Sequence, residues 1–193
     1  MKKSIGIVVA IFVLLGVGKY IYDVNINHNF KTISAGKVYK SGVIPPDELA
    51  SYIKEHQIKS VIDLRFPGTD DLVNNPEIPE ELLAERNVIE KMDGINYYNV
   101  GSEQVPSKEA LEKFYTVIDN TENYPVLIHC YHGAGRAQLF SAIYRMEKEG
   151  MTNEDARKKT RVFLKWSSFD DDKPKGEFLK NYKTREALVN EKE

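Results

Sequence analysis

The segment Val126–Phe140, VLIHCYHGAGRAQLF, connects an apolar run to an amphipathic run through a short loop with two glycines. The apolar run, YPVLIH, predicts a buried strand, and the run after the loop predicts a helix that ends at Gly150. Cys130, the only cysteine of the chain, opens the loop, and Arg136 follows it after five intervening residues. A strand, a loop and a helix in direct succession indicate an anion-binding turn.

The residue types of this loop suit a phosphate group. Gly133 and Gly135 permit backbone angles that let successive N–H groups converge on one point. Arg136 has the planar, bidentate geometry that fits two phosphate oxygens. The helix N-terminus and the arginine together favour the thiolate form of Cys130, which is the nucleophilic form. The loop therefore predicts a sulfur nucleophile at the floor of a phosphate-sized cup.

Strands and helices alternate along the rest of the chain, which predicts an α/β sheet with helices on both faces. The predicted strands before the loop are 37–42, 58–65 and 95–100, and the predicted helices before it are 45–56, 80–92 and 107–120. Two more helices are predicted after Gly150, at 153–166 and 176–190.

The N-terminal segment differs in composition from the remainder. Residues 1–22 contain two lysines followed by an unbroken apolar stretch from Ile5 to Val17, which predicts a membrane anchor or, alternatively, a cleaved signal peptide. Both alternatives place the rest of the chain outside the cytoplasm. Residues 23–37 are polar and are expected to form a tether, so that residues 38–193 form the catalytic domain.

Composition limits the remaining classes of function. The chain has 193 residues, of which 41% are hydrophobic and 29% charged, and this suits one compact domain. Its formal net charge of −2 does not indicate a nucleic-acid partner. A single cysteine excludes an intramolecular disulfide and disfavours a four-ligand zinc site.

The pattern His129-Cys130-x-x-Gly133-x-x-Arg136 resembles the signature of the cysteine-dependent protein tyrosine and dual-specificity phosphatases. The segments VYKSGVIPPDEL, IKSVIDLR and FSAIYRMEKEGMTNEDA are similar to the small dual-specificity-like subgroup exported to the bacterial periplasm, over roughly residues 38–160. The resemblance implies a three-layer, protein-tyrosine-phosphatase-like fold with a central, mostly parallel sheet. It also implies hydrolysis of phosphomonoesters through a phosphocysteine, without a metal ion or another cofactor.

The resemblance carries roles onto individual residues. Cys130 corresponds to the nucleophile, and His129 to a supporting residue that orders the loop. The expected substrate-binding residues are those of the loop itself, namely Tyr131, His132, Gly133, Ala134, Gly135 and Arg136. A phosphorylated protein is the expected substrate, with a phospholipid or an inositol phosphate as the alternative class. The expected location is the periplasmic side of a bacterial inner membrane, or the periplasm after signal cleavage.

The general acid departs from the family pattern. The family places an aspartate on a loop upstream of the cysteine, whereas the matching segment here, YYNVGSEQVPSKEAL, contains no aspartate. Glu103, 27 positions before Cys130, is the candidate acid, and Asp93 is the second choice. Arg65, at the end of a predicted strand, is expected to form a surface salt bridge, with a second anion contact as the alternative.

Ala137 is the second departure, because many relatives carry a serine or threonine directly after the arginine. That hydroxyl stabilises the departing thiolate in the second step, so its absence predicts slow turnover. A pseudophosphatase that binds phosphorylated ligands is therefore an alternative to an enzyme. A sulfur transferase of the rhodanese type is a third alternative, which the loop length disfavours.

Overall fold

The computed structural model describes residues 2–66, 73 and 79–191 of the protein. The strands in this part of the chain are β1 (Lys31–Ser34), β2 (Val38–Ser41), β3 (Ser60–Asp63), β4 (Asn96–Asn99) and β5 (Val126–His129). The α-helices in this part are α1 (Lys2–Ile21), α2 (Pro46–Glu55), α3 (Pro79–Glu90), α4 (Lys108–Asp119), α5 (Arg136–Glu149), α6 (Asn153–Lys158), α7 (Pro174–Asn181) and α8 (Arg185–Asn190). A π-helix (Tyr22–Ile26) and a 3₁₀-helix (Thr121–Asn123) complete the elements of these residues.

The strands form one sheet in the order β1-β2-β5-β3-β4. β1 is antiparallel to β2, and the other pairs are parallel, as the connecting helices require. β5 lies in the middle of the sheet and is buried at all four positions. The prediction of a mostly parallel α/β sheet is confirmed.

Apolar side chains cover both faces of the sheet. On one face Val126 and Ile128 of β5 pack with residues of α4 and α5 such as Phe114 and Phe140. On the other face Leu127 of β5 packs with residues of α2 and α3 such as Ile53 and Ile89. This alternation along one strand gives the three layers of the predicted fold.

Residues 23–37, expected as a tether, contain regular structure. They hold most of the π-helix and all of β1, and Phe30 is buried against Tyr39 of β2. Strand β1 is short and half-exposed, which explains why its sequence, KTIS, gives little apolar signal. The interval therefore belongs to the folded domain.

The predicted helix 153–166 is wrong beyond Lys158, where α6 ends. The Thr160 hydroxyl donates to the carbonyl of Arg157 at 2.6 Å, a local bond that competes with further helix. The predicted helix 176–190 is two helices, because the chain extends at Tyr182 and restarts at Thr184, whose side chain caps α8.

Helix α1 places its described apolar side chains in solvent, with Phe12 and Leu14 each 70% exposed. Within the described residues, none of the helices combines the length and the apolarity needed to span a membrane.

Candidate active site

The carboxyl ends of the parallel strands meet at one edge of the sheet. In the register of the sheet, His129 of β5 lies between Ser41 of β2 and Asp63 of β3, and Asn99 of β4 follows. The loop 130–135 leaves this edge and runs directly into α5. Ligand sites of open α/β sheets lie at this edge, so the fold brings the predicted loop to the expected place.

The glycines of the loop have geometric causes. Gly133 has φ +66°, and a Cβ at this position would lie 2.3 Å from the backbone nitrogen of Gly42, which no side chain can tolerate. Gly135 is the N-cap of α5, and a Cβ there would approach the Nζ of Lys175 at 3.2 Å. The loop is thus folded tightly against the end of β2 at one glycine and faces a lysine at the other.

A cavity of about 650 Å³ opens over the loop. Cys130 is 2% exposed and lines the cavity, so it lies at the floor. Of the other predicted substrate-binding residues, those that line the cavity are His132, Ala134, Gly135 and Arg136. Tyr131 and Gly133 are not among its lining residues. The Tyr131 carbonyl accepts from Val43 N–H at 3.0 Å, and the Gly133 carbonyl accepts from Lys40, so these two residues hold the loop from behind.

Arg136 is 1% exposed and is held by carbonyl groups of neighbouring strand ends. Its Nη1 donates to Leu64 O at 2.8 Å and to Ser102 O at 3.1 Å. Leu64 follows β3, and Ser102 lies three residues after β4. The sheet therefore fixes the guanidinium at the wall of the cavity, which pre-organises it for an anion.

Lys40, which sequence reasoning missed, is a buried cation beneath the loop. It lies on β2 next to Ile128, on the face of the sheet that also carries Cys130, and it is 3% exposed. Its Nζ donates to Gly133 O at 2.7 Å and to Asn29 O at 3.1 Å. Burial, followed by the charge of Lys31, lowers the pKa of Lys40 to about 7, although Cys130 opposes this shift. A lysine inside a predicted strand was the available signal, because such a residue has to find partners when the strand is buried.

The segment between α6 and α7, residues 159–173, forms one side of the cavity, and we call it the rim loop. Arg161 lines the cavity and its Nη2 donates to Ala134 O. Phe169 is fully buried and contacts the Arg161 guanidinium, 4.9 Å from the ring centroid to Cζ, and the Lys175 ammonium at 5.9 Å. Burial lowers the pKa of Arg161, and Cys130 opposes that shift, which places this arginine in the field of the sulfur. Because residues 153–166 were predicted to form one helix, the contribution of Arg161 to the cavity was not predicted.

A second buried charge cluster lies behind the loop, on the opposite face of the sheet. His129 Nε2 is 2.8 Å from Glu85 Oε1 and 3.6 Å from Asp63 Oδ1. Arg65 donates to Asp63 through Nε and Nη2, each at 2.9 Å, and to Glu85 through Nη2 at 2.5 Å. Although burial opposes it, His129 and Arg65 hold the pKa of Asp63 below its usual range. Arg65 is therefore part of a buried ion-pair network, and the expectation of a surface salt bridge is wrong.

Asp63, Glu85 and His129 are also the described residues whose ligand atoms lie close enough together to hold a metal ion. The Arg65 guanidinium already binds both carboxylates, so it supplies the positive charge that a metal would bring. The cluster holds the His129 ring between two carboxylates, and the supporting role of His129 stays a prediction.

Glu103 is exposed and lies on the loop after β4, beside Gln104, which lines the cavity. Asp93 precedes β4 and is therefore at the opposite edge of the sheet. Of these two carboxyl groups, that of Glu103 is at the edge of the sheet where the cavity lies. Its role as the general acid stays a prediction.

A buried cysteine and a fixed arginine on one strand–loop–helix cradle, at the carboxyl edge of a mostly parallel sheet, define a cysteine-dependent phosphatase of the protein tyrosine and dual-specificity class. The family described as "DSP-PTPase phosphatase fused to NAD+ Kinase" matches residues 21–174, and the chain belongs to it. No curated protein gives a significant match.

Solved structures share the fold. The core catalytic domain of the PP-IP phosphatase SIW14 from S. cerevisiae is 20% identical, with a TM-score of 0.60 over 85% of this chain and 91% of that one. TpbA of P. aeruginosa is 18% identical, with a TM-score of 0.59 over 88% and 94%. A putative phosphatase from Shewanella putrefaciens is 20% identical, with a TM-score of 0.57 over 88% and 97%. The resemblance found in the sequence is confirmed.

Proposed function

We propose that this phosphatase hydrolyses phosphomonoesters through a phosphocysteine formed on Cys130. The observation that carries the proposal is the position of Cys130, at the floor of a cavity whose wall holds Arg136 and Arg161 and whose underside holds Lys40. Three cations around one sulfur stabilise a thiolate and attract a phosphate dianion. The same charges then stabilise the trigonal-bipyramidal transition state.

The reaction divides into two displacements. In the first, the Cys130 thiolate attacks phosphorus, a P–S bond forms, the ester P–O bond breaks, and Glu103 donates a proton to the departing oxygen. In the second, the Glu103 carboxylate removes a proton from water, the water oxygen attacks phosphorus, and the thiolate leaves as phosphate is released. Ala137 is buried and offers no hydroxyl to the departing thiolate, so the second displacement is the slower one in this proposal.

The charge of the cavity bears on the substrate class. Its lining includes Lys173 and Lys175 in addition to Arg136 and Arg161. Of the neighbouring acidic residues, Asp171 pairs with Arg157 at 2.7 Å, and Asp172 pairs with Lys173 of the cavity lining at 3.3 Å.

Two relatives illustrate the alternatives. TpbA is solved with pTyr, and SIW14 is named a PP-IP phosphatase. A phosphorylated protein is the proposed substrate, and the basic lining supports an inositol phosphate or phospholipid headgroup as the second candidate.

Hydrolysis of p-nitrophenyl phosphate by the full chain in EDTA tests the proposal. We expect Cys130→Ser and Arg136→Lys to abolish turnover, and Glu103→Gln to lower kcat by about 10²-fold or more. Glu109→Gln, an exposed glutamate at the start of α4, is the matched control and should leave kcat unchanged. A Glu103→Gln enzyme with full activity would remove this acid from the scheme while the nucleophile stands. Absence of turnover in the wild type, with vanadate still bound, would favour the pseudophosphatase.

For location we propose the periplasmic side of a bacterial inner membrane, or the periplasm after cleavage of the N-terminal segment. Lys2, Lys3 and the apolar stretch Ile5–Val17 support this proposal. An alkaline phosphatase fused after Glu193 should be active in a bacterial host, and an inactive fusion would place the domain in the cytoplasm.

A further inference from the structure

The rim loop presents an apolar tip to solvent. Val162, Phe163 and Trp166 are 92%, 80% and 88% exposed, respectively. Exposed single apolar residues are ordinary, but three large ones within five positions form a patch that indicates a binding surface.

The tip is held outward by bonds within the rim loop. Trp166 has φ +64°, a backbone conformation that bulky residues rarely adopt. Its N–H donates to Asp170 Oδ2 at 2.7 Å, and Ser167 N–H donates to Leu164 O at 2.9 Å. Phe169 anchors the same loop in the core. A strained residue fixed in this way is consistent with a functional constraint on the direction of the indole ring.

Basic residues are concentrated in and beside the rim loop. From position 157 to position 175 the chain has seven lysines and arginines against three aspartates, in a protein with a formal net charge of −2, and of these seven Arg157 and Lys175 are buried. The three aspartates make ion pairs or backbone hydrogen bonds, as Asp170 does with Trp166, whereas Lys159 and Lys165 are exposed beside the tip. Aromatic and apolar residues flanked by lysines are the composition of membrane-interface segments.

A second exposed apolar element borders the same cavity. Tyr20, near the end of α1, lines the cavity together with Arg161 of the rim loop. α1 continues from Tyr20 with exposed side chains such as Phe12 and Leu15. The apolar side chains of both elements protrude into solvent, which suits a flat partner such as a bilayer surface.

We propose that the rim loop docks the mouth of the active site onto an anionic lipid bilayer, with Phe163 and Trp166 entering the interface. The lysines beside them contact the lipid headgroups. The cavity then opens at the headgroup level, where phosphate groups of the membrane or of membrane proteins are located. This surface is independent of the roles assigned to Cys130 and Glu103.

Trp166 is the only tryptophan of the chain, so its fluorescence reports on this loop alone. The full chain is titrated with vesicles of phosphatidylcholine, with or without phosphatidylglycerol, and binding is measured in parallel by vesicle sedimentation. We expect phosphatidylglycerol vesicles to shift Trp166 emission to shorter wavelength and to protect the ring from acrylamide. Lys159→Gln and Lys165→Gln should each lower the partition coefficient by about fivefold.

Phe163→Ser should reduce the emission shift, and Val189→Ser, a change at an exposed apolar residue of α8, should not. Circular dichroism verifies that each variant is folded. Sedimentation with vesicles without any change in Trp166 emission would assign membrane contact to another part of the chain and overturn the proposal. Absence of both signals would also overturn it and leave a protein partner for the tip.

Discussion

Lys40 links the electrostatics of the site to pH. Its charge is lost as pH rises through about 7, because burial and the neighbouring cations Lys31 and Arg161 lower its pKa, while Cys130 and Asp23 oppose them. Below that pH the Lys40 ammonium adds a positive charge beneath the loop, and above it this charge is absent. The expected role of Lys40 is therefore that of a positioning residue, which holds the loop through the Gly133 carbonyl and acts on Cys130 through its charge.

Lys40→Met should make Cys130 less reactive, because the substitution removes a buried positive charge beneath the loop. In a pH profile of alkylation by iodoacetamide, we expect the rate at pH 6 to fall about tenfold. Lys37→Met, an exposed lysine one residue before β2, is the control and should alkylate as the wild type does. An unchanged profile in Lys40→Met would mean that the lysine only braces the loop.

The candidate site residues could be predicted from the sequence where they belong to one contiguous motif. His129, Cys130 and Arg136 lie within eight positions, and the strand–loop–helix pattern places them together. Lys40, Glu85 and Arg161 reach the site from distant parts of the chain. Their roles depend on sheet order and helix packing, which no local pattern specifies.

At the scale of elements, the loop 130–135 depends on its contact with β2. Gly133 and Gly150 have nearly the same φ, +66° and +63°, but a Cβ at Gly150 would meet nothing within 4 Å. Alanine substitutions at these two glycines therefore distinguish the free-energy cost of the backbone angle from the cost of a steric clash.

Gly150→Ala should cost about 1 kcal/mol of unfolding free energy and leave turnover unchanged, because only the backbone angle is strained. Gly133→Ala should lower turnover of p-nitrophenyl phosphate by about 10²-fold or more, since the loop must move off β2 and misplace its amides. Urea denaturation and steady-state kinetics on both variants test this. Equal effects of the two substitutions would refute the clash as the cause.

The rim loop shows why helix prediction failed after Lys158. The segment TRVFLKW was included in the predicted helix, but the Thr160 hydroxyl bonds to Arg157 O and the Arg161 guanidinium bonds to Ala134 O. Tertiary contacts outweigh propensity here, since propensity differences amount to about 0.7 kcal/mol or less per residue for ordinary residues. β1 is the opposite case, in which pairing with β2 creates a strand that its own residues hardly indicate.

At the scale of the molecule, the alternation of strands and helices in the sequence predicts a sheet. It does not predict the order of the strands within that sheet. A buried β5 was expected, because VLIH is apolar at every position before the histidine, and buried parallel strands have such runs. The antiparallel β1 at the edge was not expected. It nevertheless brings Asn29 to the active-site loop, where the Asn29 amide donates to His132 O at 2.8 Å. The interval 23–37 thus connects the N-terminal helix to the catalytic loop.

The C-terminal helix is attached to the domain by Arg185, which donates to Asp119 at 2.6 and 2.9 Å and to Glu147 at 3.0 Å and stacks on Tyr115. Hydrogen bonding to Arg185 lowers the pKa of Asp119 to about 2. A carboxyl group whose pKa is lowered by folding stabilises the fold above its unfolded pKa near 4, and this stabilisation is lost as pH falls towards 2.

Arg185→Gln should therefore lower the unfolding free energy by about 1 kcal/mol at pH 7 and by less at pH 3. Lys183→Gln, which removes an exposed pair with Glu191, should change it by less than about 0.5 kcal/mol at either pH. Guanidinium titrations measure both variants, and a loss in Arg185→Gln that is the same at pH 3 as at pH 7 would assign its effect to packing on Tyr115 in place of charge.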